Sequence, residues 1–497
     1  MGYMIRQMLS ERTLCQELTV DILHATVTNT TIDAVLTTHG AHATRTRKFT
    51  MTAVVWVIIA MNLYTPVAIS AVIRTLLKSL RLLWPLADPV VPSDSAFTYR
   101  RYQLGARPLV DLFHTVCQPM TTPATPGAFL FGLRVMALDG TVEDVADTPA
   151  NVRAFGRTQN ARGPSAFPQV QGVYLVECGS HAIVDAGFWP IHTSERVGGF
   201  RMVRSLTPDM LLMWDRGFHD VRMLVAAQRQ GSHVLGRLPA SVKPQRVRTL
   251  PDGSYLAHLR LTAPRRGQPG SHLLVRIVDY RLTDPALGDA GTRYRLVTTL
   301  LDPAVAPALE VAAAYHERWE IELVIDEVDT HQRLVGRPVR SQKPVGVIQE
   351  LYGVLIAHYA VRRVMHEAAV AAGIDPDRLS FRHALCVIQE TLPEFQLITA
   401  AEHGRLYARL LRDVAQERLP PRRLRIHARV VKRKMSNFRL KRAEHDQMSQ
   451  PTVATFREAI QICVPDGDDE RGWDLLGQPA VLELPPLKRR GLAECLI

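Results

Sequence analysis

The order of the apolar runs between residues 129 and 238 constrains the fold of this chain more than any other feature. Short apolar runs bounded by turn residues are typical of buried strands, whereas apolar residues three or four positions apart are typical of helices. On these signals we expect three successive strands, then a helix, a strand, a helix and a last strand. The predicted elements are 129–139, 170–179, 180–191, 193–205, 209–215, 218–230 and 233–238.

That order is the order of a ribonuclease H-like α/β fold. Residues 239–300 return to a β pattern, with a hairpin turn expected at Asp252-Gly253. The sequence therefore predicts a ribonuclease H-like catalytic core with a β-strand insertion, flanked by an N-terminal helical region and a C-terminal helical and basic region. The expected parts are the N-terminal domain 1–120, the first core part 121–238, the insertion 239–300, the second core part 301–400 with a long helix over 303–334, and the C-terminal region 401–497.

Three acidic residues stand out in this framework. Asp139 and Asp215 are each expected to end a strand, and Glu322 falls on the predicted helix. Taken singly, each aspartate is also typical of an ordinary turn. Taken together, three carboxylates are the oxygen ligands that a pair of Mg²⁺ ions needs for phosphodiester chemistry. We therefore expect Asp139, Asp215 and Glu322 to be the catalytic and metal-binding residues.

The helix that carries Glu322 adds two phosphate-binding side chains. Tyr315, Arg318 and Glu322 are spaced i, i+3 and i+7, which places them on one stripe of a regular helix. Arginine offers a planar pair of donors to phosphate oxygens and tyrosine a neutral donor. An ordinary amphipathic helix with a partly solvated face explains the same spacing, so the helix alone leaves both readings open.

These motifs together resemble the DDE transposases of the insertion sequence 4 family. The family signature Tyr-(2)-Arg-(3)-Glu-(6)-Lys is matched at Tyr315, Arg318 and Glu322, and the aspartate motifs are similar at 138–156 and 214–218. The resemblance implies binding of terminal inverted repeats by the N-terminal domain, strand cleavage and 3′-OH strand transfer. It also implies two Mg²⁺ ions, with Mn²⁺ able to substitute, double-stranded DNA as partner, and a homodimer in the synaptic complex.

One position departs from the signature, because Asp329 stands where the family has lysine. Arg333 is expected on the same helix face and would supply the missing positive charge to DNA. A catalytically dead, DNA-binding transposase relic and another ribonuclease H-like metal-dependent nuclease are the alternative functions.

A second cationic region favours a polyanionic partner. Residues 421–442 contain ten Lys or Arg and no acidic residue, and the whole chain has a net charge of +12. We expect DNA contacts from this arm. Its candidate residues are Arg429, Lys432, Arg433 and Lys434.

The compartment is predicted from the cysteines and from one apolar segment. The six cysteines form no C-x-x-C pair, which favours a reducing cytoplasm, and DNA binding places the protein at the nucleoid. Residues 49–73 carry no charge and are long enough for a membrane anchor. Because Pro66 interrupts the segment, we expect two buried helices and no membrane partner, with a membrane-associated basic protein as the alternative.

Overall fold

The strands expected between residues 129 and 238 form one mixed sheet in the computed structural model of the chain. The structure describes residues 26–42, 50–65, 67–76, 93–160, 163–261, 271–287, 291–333, 336–395, 398, 401–420, 424, 430–431, 439–447 and 449–465. Arg429, Lys432, Arg433 and Lys434 of the predicted basic arm lie outside the described residues.

The bounds of the described strands agree closely with the sequence pattern from residue 129 onward. They are β1 Phe129–Leu130, β2 Leu133–Asp144, β3 Gln159–Asn160, β4 Gly163–Pro164, β5 Gln169–Glu177, β6 Ala182–Pro190, β7 Met210–Trp214, β8 His233–Arg237, β9 Gln245–Thr249, β10 Tyr255–Arg260, β11 His272–Leu282, β12 Tyr294–Thr298, β13 Val430–Val431, β14 Arg439–Leu440 and β15 Ile460–Ile462.

The main sheet contains 11 strands along the order β6-β5-β2-β7-β8-β12-β11-β10-β9, with β1 paired to β2 and β15 to β11. Strands β2, β5 and β6 pair antiparallel, whereas β7 and β8 run parallel to β2. The predicted insertion therefore extends the same sheet, because β12 pairs antiparallel with β8. Its hairpin turn is confirmed: Gly253 has φ +84°, a left-handed conformation that suits glycine.

One predicted strand boundary is wrong. Strand β2 does not end at Asp139 but continues to Asp144, because β5 pairs with it residue by residue as far as Asp144↔Gln169. An Asp-Gly pair is a turn signal only where no neighbouring strand supplies backbone partners. Asp139 accordingly sits in the middle of β2.

Thirteen α-helices are defined within the described part of the chain. They are α1 Asn29–Thr38, α2 Met51–Ala60, α3 Ile69–Leu76, α4 Asp94–Leu104, α5 Arg107–Val116, α6 Pro149–Phe155, α7 Glu195–Met202, α8 Val221–Arg229, α9 Ala308–Ala314, α10 Glu320–Asp326, α11 Pro344–Ala372, α12 Phe381–Phe395 and α13 His403–Val414.

The apolar segment at 49–73 forms two helices, α2 and α3, as expected, but α3 is only partly buried, through Val72 and Ile73. Helix α2 is buried along almost its whole length, and it contacts α11. Among the described helices, α11 is long and apolar enough to cross a membrane by length and composition, and 89% of that window is buried inside the protein.

The expected single helix over 303–334 is divided into four segments. After α9 come a 3₁₀ segment, Tyr315–Trp319, then α10, and then a π-helical segment, Glu327–Gln332. Because 3₁₀ and π turns change the rotation per residue, the positions beyond Glu322 do not follow the single stripe of a regular helix. This segmented helix lies against β2 and β7.

Candidate active site

Asp139 and Asp215 lie side by side because of the register of two parallel strands. Leu138 of β2 pairs with Trp214 of β7, and β7 ends there. Each aspartate therefore directly follows the last pair of residues that joins β2 to β7. The edge where one strand ends and its neighbour continues is a position at which two carboxylates can face the same space.

Backbone amides hold one oxygen of each aspartate. The Gly140 amide donates to Asp139 Oδ1 at 2.8 Å, and the Gly217 amide donates to Asp215 Oδ1 at 2.8 Å. A Cβ at position 217 would lie only 3.0 Å from Asp215 Oδ1, so glycine suits this close approach. Each Oδ2 is left out of these backbone bonds.

Arg318 links the helix acid to the strand acid. Its Nη2 donates to Glu322 Oε1 at 3.3 Å, and its Nη1 lies 3.7 Å from Asp139 Oδ2. Within the described residues, the buried Nε of Arg318 has no hydrogen-bond partner. Because only 12% of the Arg318 side chain is exposed, compared with 39% for Glu322, the guanidinium lies beneath the carboxylate that faces solvent.

Tyr315 holds this arginine from the other side. Its hydroxyl donates to the carbonyl oxygen of Trp214 at 3.2 Å, at the end of β7. The Arg318 guanidinium lies 5.9 Å from the centre of the Tyr315 ring. Burial raises the pKa of Tyr315 to about 12, so the hydroxyl remains a neutral donor at physiological pH. In this conformation Tyr315 fixes the 3₁₀ segment to the strand end.

The electrostatics of the three acids fit a divalent cation. The pKa of Asp139 is raised to about 6, first by burial and then by the charges of Asp215 and Glu322, while the Gly140 amide and Arg318 oppose the shift. The three carboxylates are thus near enough to repel one another. An all-oxygen donor set with crowded negative charge matches the preference of Mg²⁺ and Mn²⁺.

Two further residues of β2, which the sequence pattern did not single out, contact the π-helical segment and the residue that follows it. Thr141 and Glu143 share a strand face with Asp139, because alternate residues of a strand point to the same side. Thr141 Oγ1 donates to Asp329 Oδ2 at 3.2 Å, and Glu143 forms a buried ion pair with Arg333. The period of two in the sequence is the signal that could have found them.

Asp329 and Arg333 are consequently placed against the sheet. Burial and the neighbouring Glu143 raise the pKa of Asp329 to about 8, so its carboxyl is mainly protonated at neutral pH. The Arg333 side chain is only 9% exposed and is paired with Glu143. In the structure Arg333 contacts Glu143 and is nearly inaccessible to solvent. Its contact with DNA therefore stays a prediction.

The arrangement of an acid within the sheet, a second acid after the neighbouring parallel strand and a helix acid held by an arginine is the one expected of a DDE transposase. Comparison with known proteins agrees. Residues 17–114 match the family model described as "Insertion element 4 transposase N-terminal", and residues 131–360 match "Transposase DDE domain". The chain is 30% identical over 410 residues to "Transposase InsG for insertion sequence element IS4" of Escherichia coli strain K12, which covers 81% of this chain and 89% of InsG. The chain belongs to the insertion element 4 family of transposases.

More distant similarities extend the comparison. "Putative transposase InsZ" of Escherichia coli strain K12 is 26% identical over 205 residues, which is 41% of this chain and 66% of InsZ. A cryo-EM structure of the piggyBac transposase synaptic complex with hairpin DNA aligns with a TM-score of 0.38 and 13% identity over 82% of this chain and 86% of that one. As a DDE transposase, the protein is a DNA-cleaving and strand-transferring enzyme that depends on a divalent metal.

Proposed function

We propose that this transposase binds the terminal inverted repeats of its own insertion sequence, cleaves the element ends and joins the freed 3′-OH to target DNA. The observation that carries the proposal is the register Leu138↔Trp214, which brings Asp139 and Asp215 together, with Glu322 joined to Asp139 through Arg318. The enzyme acts in the cytoplasm, associated with the nucleoid.

The catalytic core in this proposal is ribonuclease H-like. The support is the strand order β6-β5-β2-β7-β8, with antiparallel pairs on one side of β2 and parallel pairs on the other. In such a fold the central strand carries the first carboxylate and the neighbouring parallel strand the second. The insertion at 239–300 then lengthens the same sheet.

The proposed metal ligands are Asp139, Asp215 and Glu322, and the metal is Mg²⁺ as two ions, with Mn²⁺ able to substitute. When bound, the ions activate the attacking water or 3′-OH and stabilise the leaving oxygen. The residues of the chain position the DNA. Arg318, whose Nε has no partner among the described residues, has donors to turn toward a phosphate oxygen near the cut, and Tyr315 keeps the arginine in place.

DNA recognition is assigned to the flanking regions. The N-terminal domain, residues 1–120, reads the inverted repeats. Arg429, Lys432, Arg433 and Lys434 contact the phosphate backbone, consistent with the ten basic residues of 421–442. A homodimer holds both element ends in one synaptic complex, and each protomer cuts one of them.

The test is nicking of duplex DNA that carries the element ends, with Mg²⁺ and with EDTA. Asp139→Asn, Asp215→Asn and Glu322→Gln should each lower nicking by at least about 100-fold while DNA binding at fixed salt persists. Glu310→Gln is the matched control, because it also removes one negative charge, from a residue of α9 whose side chain is 42% exposed.

Two results would contradict the proposal. Nicking that survives in the Asp139 and Glu322 variants would remove the metal assignment. Salt-dependent DNA binding by the wild type without any cleavage in Mg²⁺ or Mn²⁺ would identify a catalytically dead relic instead.

A further inference from the structure

The last residue of β8 lies level with the two aspartates of the candidate site. Strand β8 runs parallel to β7, and Gly236 pairs with Trp214, the β7 residue that directly precedes Asp215. Arg237 therefore occupies on β8 the position that Asp139 occupies on β2. Because neighbouring strands lie about 4.8 Å apart, Arg237 is about 10 Å from Asp139 along the same edge of the sheet.

The Arg237 side chain packs on an aromatic ring of the insertion. Its guanidinium carbon lies 4.9 Å from the centre of the Tyr294 ring, which is within the range of a cation–π contact. Tyr280 stacks on the same ring, with 5.2 Å between the ring centres and 19° between the ring planes. Because β12 lies between β8 and β11 in the sheet, Arg237 and Tyr280 approach Tyr294 from opposite sides. The guanidinium is therefore oriented by a ring that is itself held in place.

The hydrogen-bond donors of this guanidinium are uncommitted. Over the ranges that the structure describes, no hydrogen bond or ion pair engages them, although the residue is half-buried. Arg318, in contrast, shares its donors with Glu322 and Asp139. Arginine presents five donors in a planar fork that matches the oxygens of a phosphate. The Arg237 guanidinium therefore has the donors and the position of a phosphate contact beside the acids.

Tyr315 connects the position of Arg237 to the candidate site. Its hydroxyl donates to the carbonyl oxygen of Trp214 at 3.2 Å. Burial raises the pKa of Tyr315, and the charges of Arg318 and Arg237 both oppose the rise, so both guanidinium groups lie near the same phenol. Arg318 lies beside Asp139 of β2, whereas Arg237 is on β8. The two cations are thus spaced along the edge of the sheet.

We propose that Arg237, oriented by Tyr294, binds a DNA phosphate next to the scissile one and so positions the strand for nicking. The assignment rests on the proposed function, because it concerns the strand that is cut at Asp139, Asp215 and Glu322. A separation of two strand spacings, about 10 Å, suits a neighbouring phosphate of that strand better than the scissile phosphate itself. Arg237 contacts DNA in this proposal, and Tyr294 acts through the arginine as a positioning residue.

The test is nicking, by the full-length protein, of element-end DNA in which single phosphates beside the cut are replaced by neutral methylphosphonates. The scissile phosphate stays intact, and the linkages on either side of it are replaced one at a time. For the wild type, one replacement should lower the nicking rate about 10- to 100-fold, the scale of a hydrogen bond to a charged group. Arg237→Gln should lose as much on unmodified DNA. It should lose nothing further with that methylphosphonate, because the two changes remove the same contact.

Two further variants separate the contact from general effects of charge and packing. Arg281→Gln is the matched control, because Arg281 is an exposed residue of β11 that follows Tyr280 and points to the opposite face of the sheet. It should nick unmodified and modified DNA at the wild-type rates. Tyr294→Phe keeps the ring and should retain the wild-type rate, whereas Tyr294→Leu should lower it about tenfold, and not lower it further in the Arg237→Gln background.

The outcomes that overturn this proposal differ from those that overturn the proposed function. A wild type that tolerates every neutral linkage overturns the phosphate contact, and so does equal nicking by the wild type and Arg237→Gln. Losses that multiply when Arg237→Gln is combined with each methylphosphonate do the same. In these cases the wild type still nicks unmodified DNA, so the proposed function stands. A wild type that nicks no unmodified DNA with Mg²⁺ contradicts the proposed function, and this inference with it.

Discussion

Replacing Asp329 with asparagine should stabilise the protein at pH 8 and leave it unchanged near pH 4. Asp329 packs on β2, where Thr141 Oγ1 donates to its Oδ2 at 3.2 Å. Burial, and then the charge of Glu143, raise its pKa from 3.8 to about 8. An asparagine amide reproduces the protonated acid, since it accepts from Thr141 and donates to Glu143, but it carries no charge at any pH.

The sign follows from the two pKa values. The unfolded chain ionises Asp329 above pH 3.8, whereas the folded chain keeps the proton up to about pH 8, so the wild type loses stability across that interval. A shift of this size corresponds to about 6 kcal/mol between the protonation states. Because 31% of the side chain is exposed, water screens much of that energy. We expect about 2 kcal/mol, the scale of one uncompensated buried polar group.

The assay is thermal unfolding of the wild type and Asp329→Asn at pH 5, 6.5 and 8. The variant should melt about 2 to 4 °C higher at pH 8, and the difference should shrink as the pH falls. Asp326→Asn is the matched control, because this residue ends α10 three positions before Asp329 and 52% of its side chain is exposed. A variant that melts lower at pH 8, or a gain of equal size at all three pH values, would refute the reasoning.

Three further outcomes are expected. Arg318→Lys should lower the nicking rate about 100-fold with little change in DNA binding. The reason is that a single ammonium cannot contact both Glu322 Oε1, at 3.3 Å from the guanidinium, and Asp139 Oδ2, at 3.7 Å. A loss of DNA binding as large as the loss of rate would contradict this role. Tyr315→Phe removes the bond to Trp214 O and should cost about 1 kcal/mol of stability in urea unfolding, whereas an unchanged midpoint would mean that the hydroxyl is free. Below pH 6 a proton competes for Asp139, so the Mg²⁺ concentration for half-maximal nicking should rise up to about tenfold per pH unit; a constant requirement would show that Asp139 binds no metal.

The strands of the core were predictable because their signals are local. Each apolar run between residues 129 and 238 is short and bounded by turn residues, and the observed strands β2, β5, β6, β7 and β8 fall on those runs. The end of β2 was not predictable in the same way. Whether the chain turns at Asp139-Gly140 or continues as a strand depends on β5, which pairs with β2 up to Asp144.

The helix that carries Glu322 shows the same division. Its sequence spacing places Tyr315, Arg318 and Glu322 near one another, and the structure brings Arg318 into contact with the other two. The 3₁₀ and π segments on either side of α10 change the rotation of the residues around it. The periodicity of a regular helix therefore predicts the presence of these side chains but not their partners.

By itself, the sequence determined the strand runs, the two aspartate motifs and the Tyr-Arg-Glu spacing, because each depends on residues within a few positions of one another. Only the tertiary structure decided that Arg333 pairs with Glu143 and that His181 meets Glu320 and Asp377. These partners are more than 50 positions apart, and the register of the sheet and the packing of α10 bring them together. No local pattern encodes such a contact, because a buried charge is stabilised by whichever polar or oppositely charged group the fold places beside it.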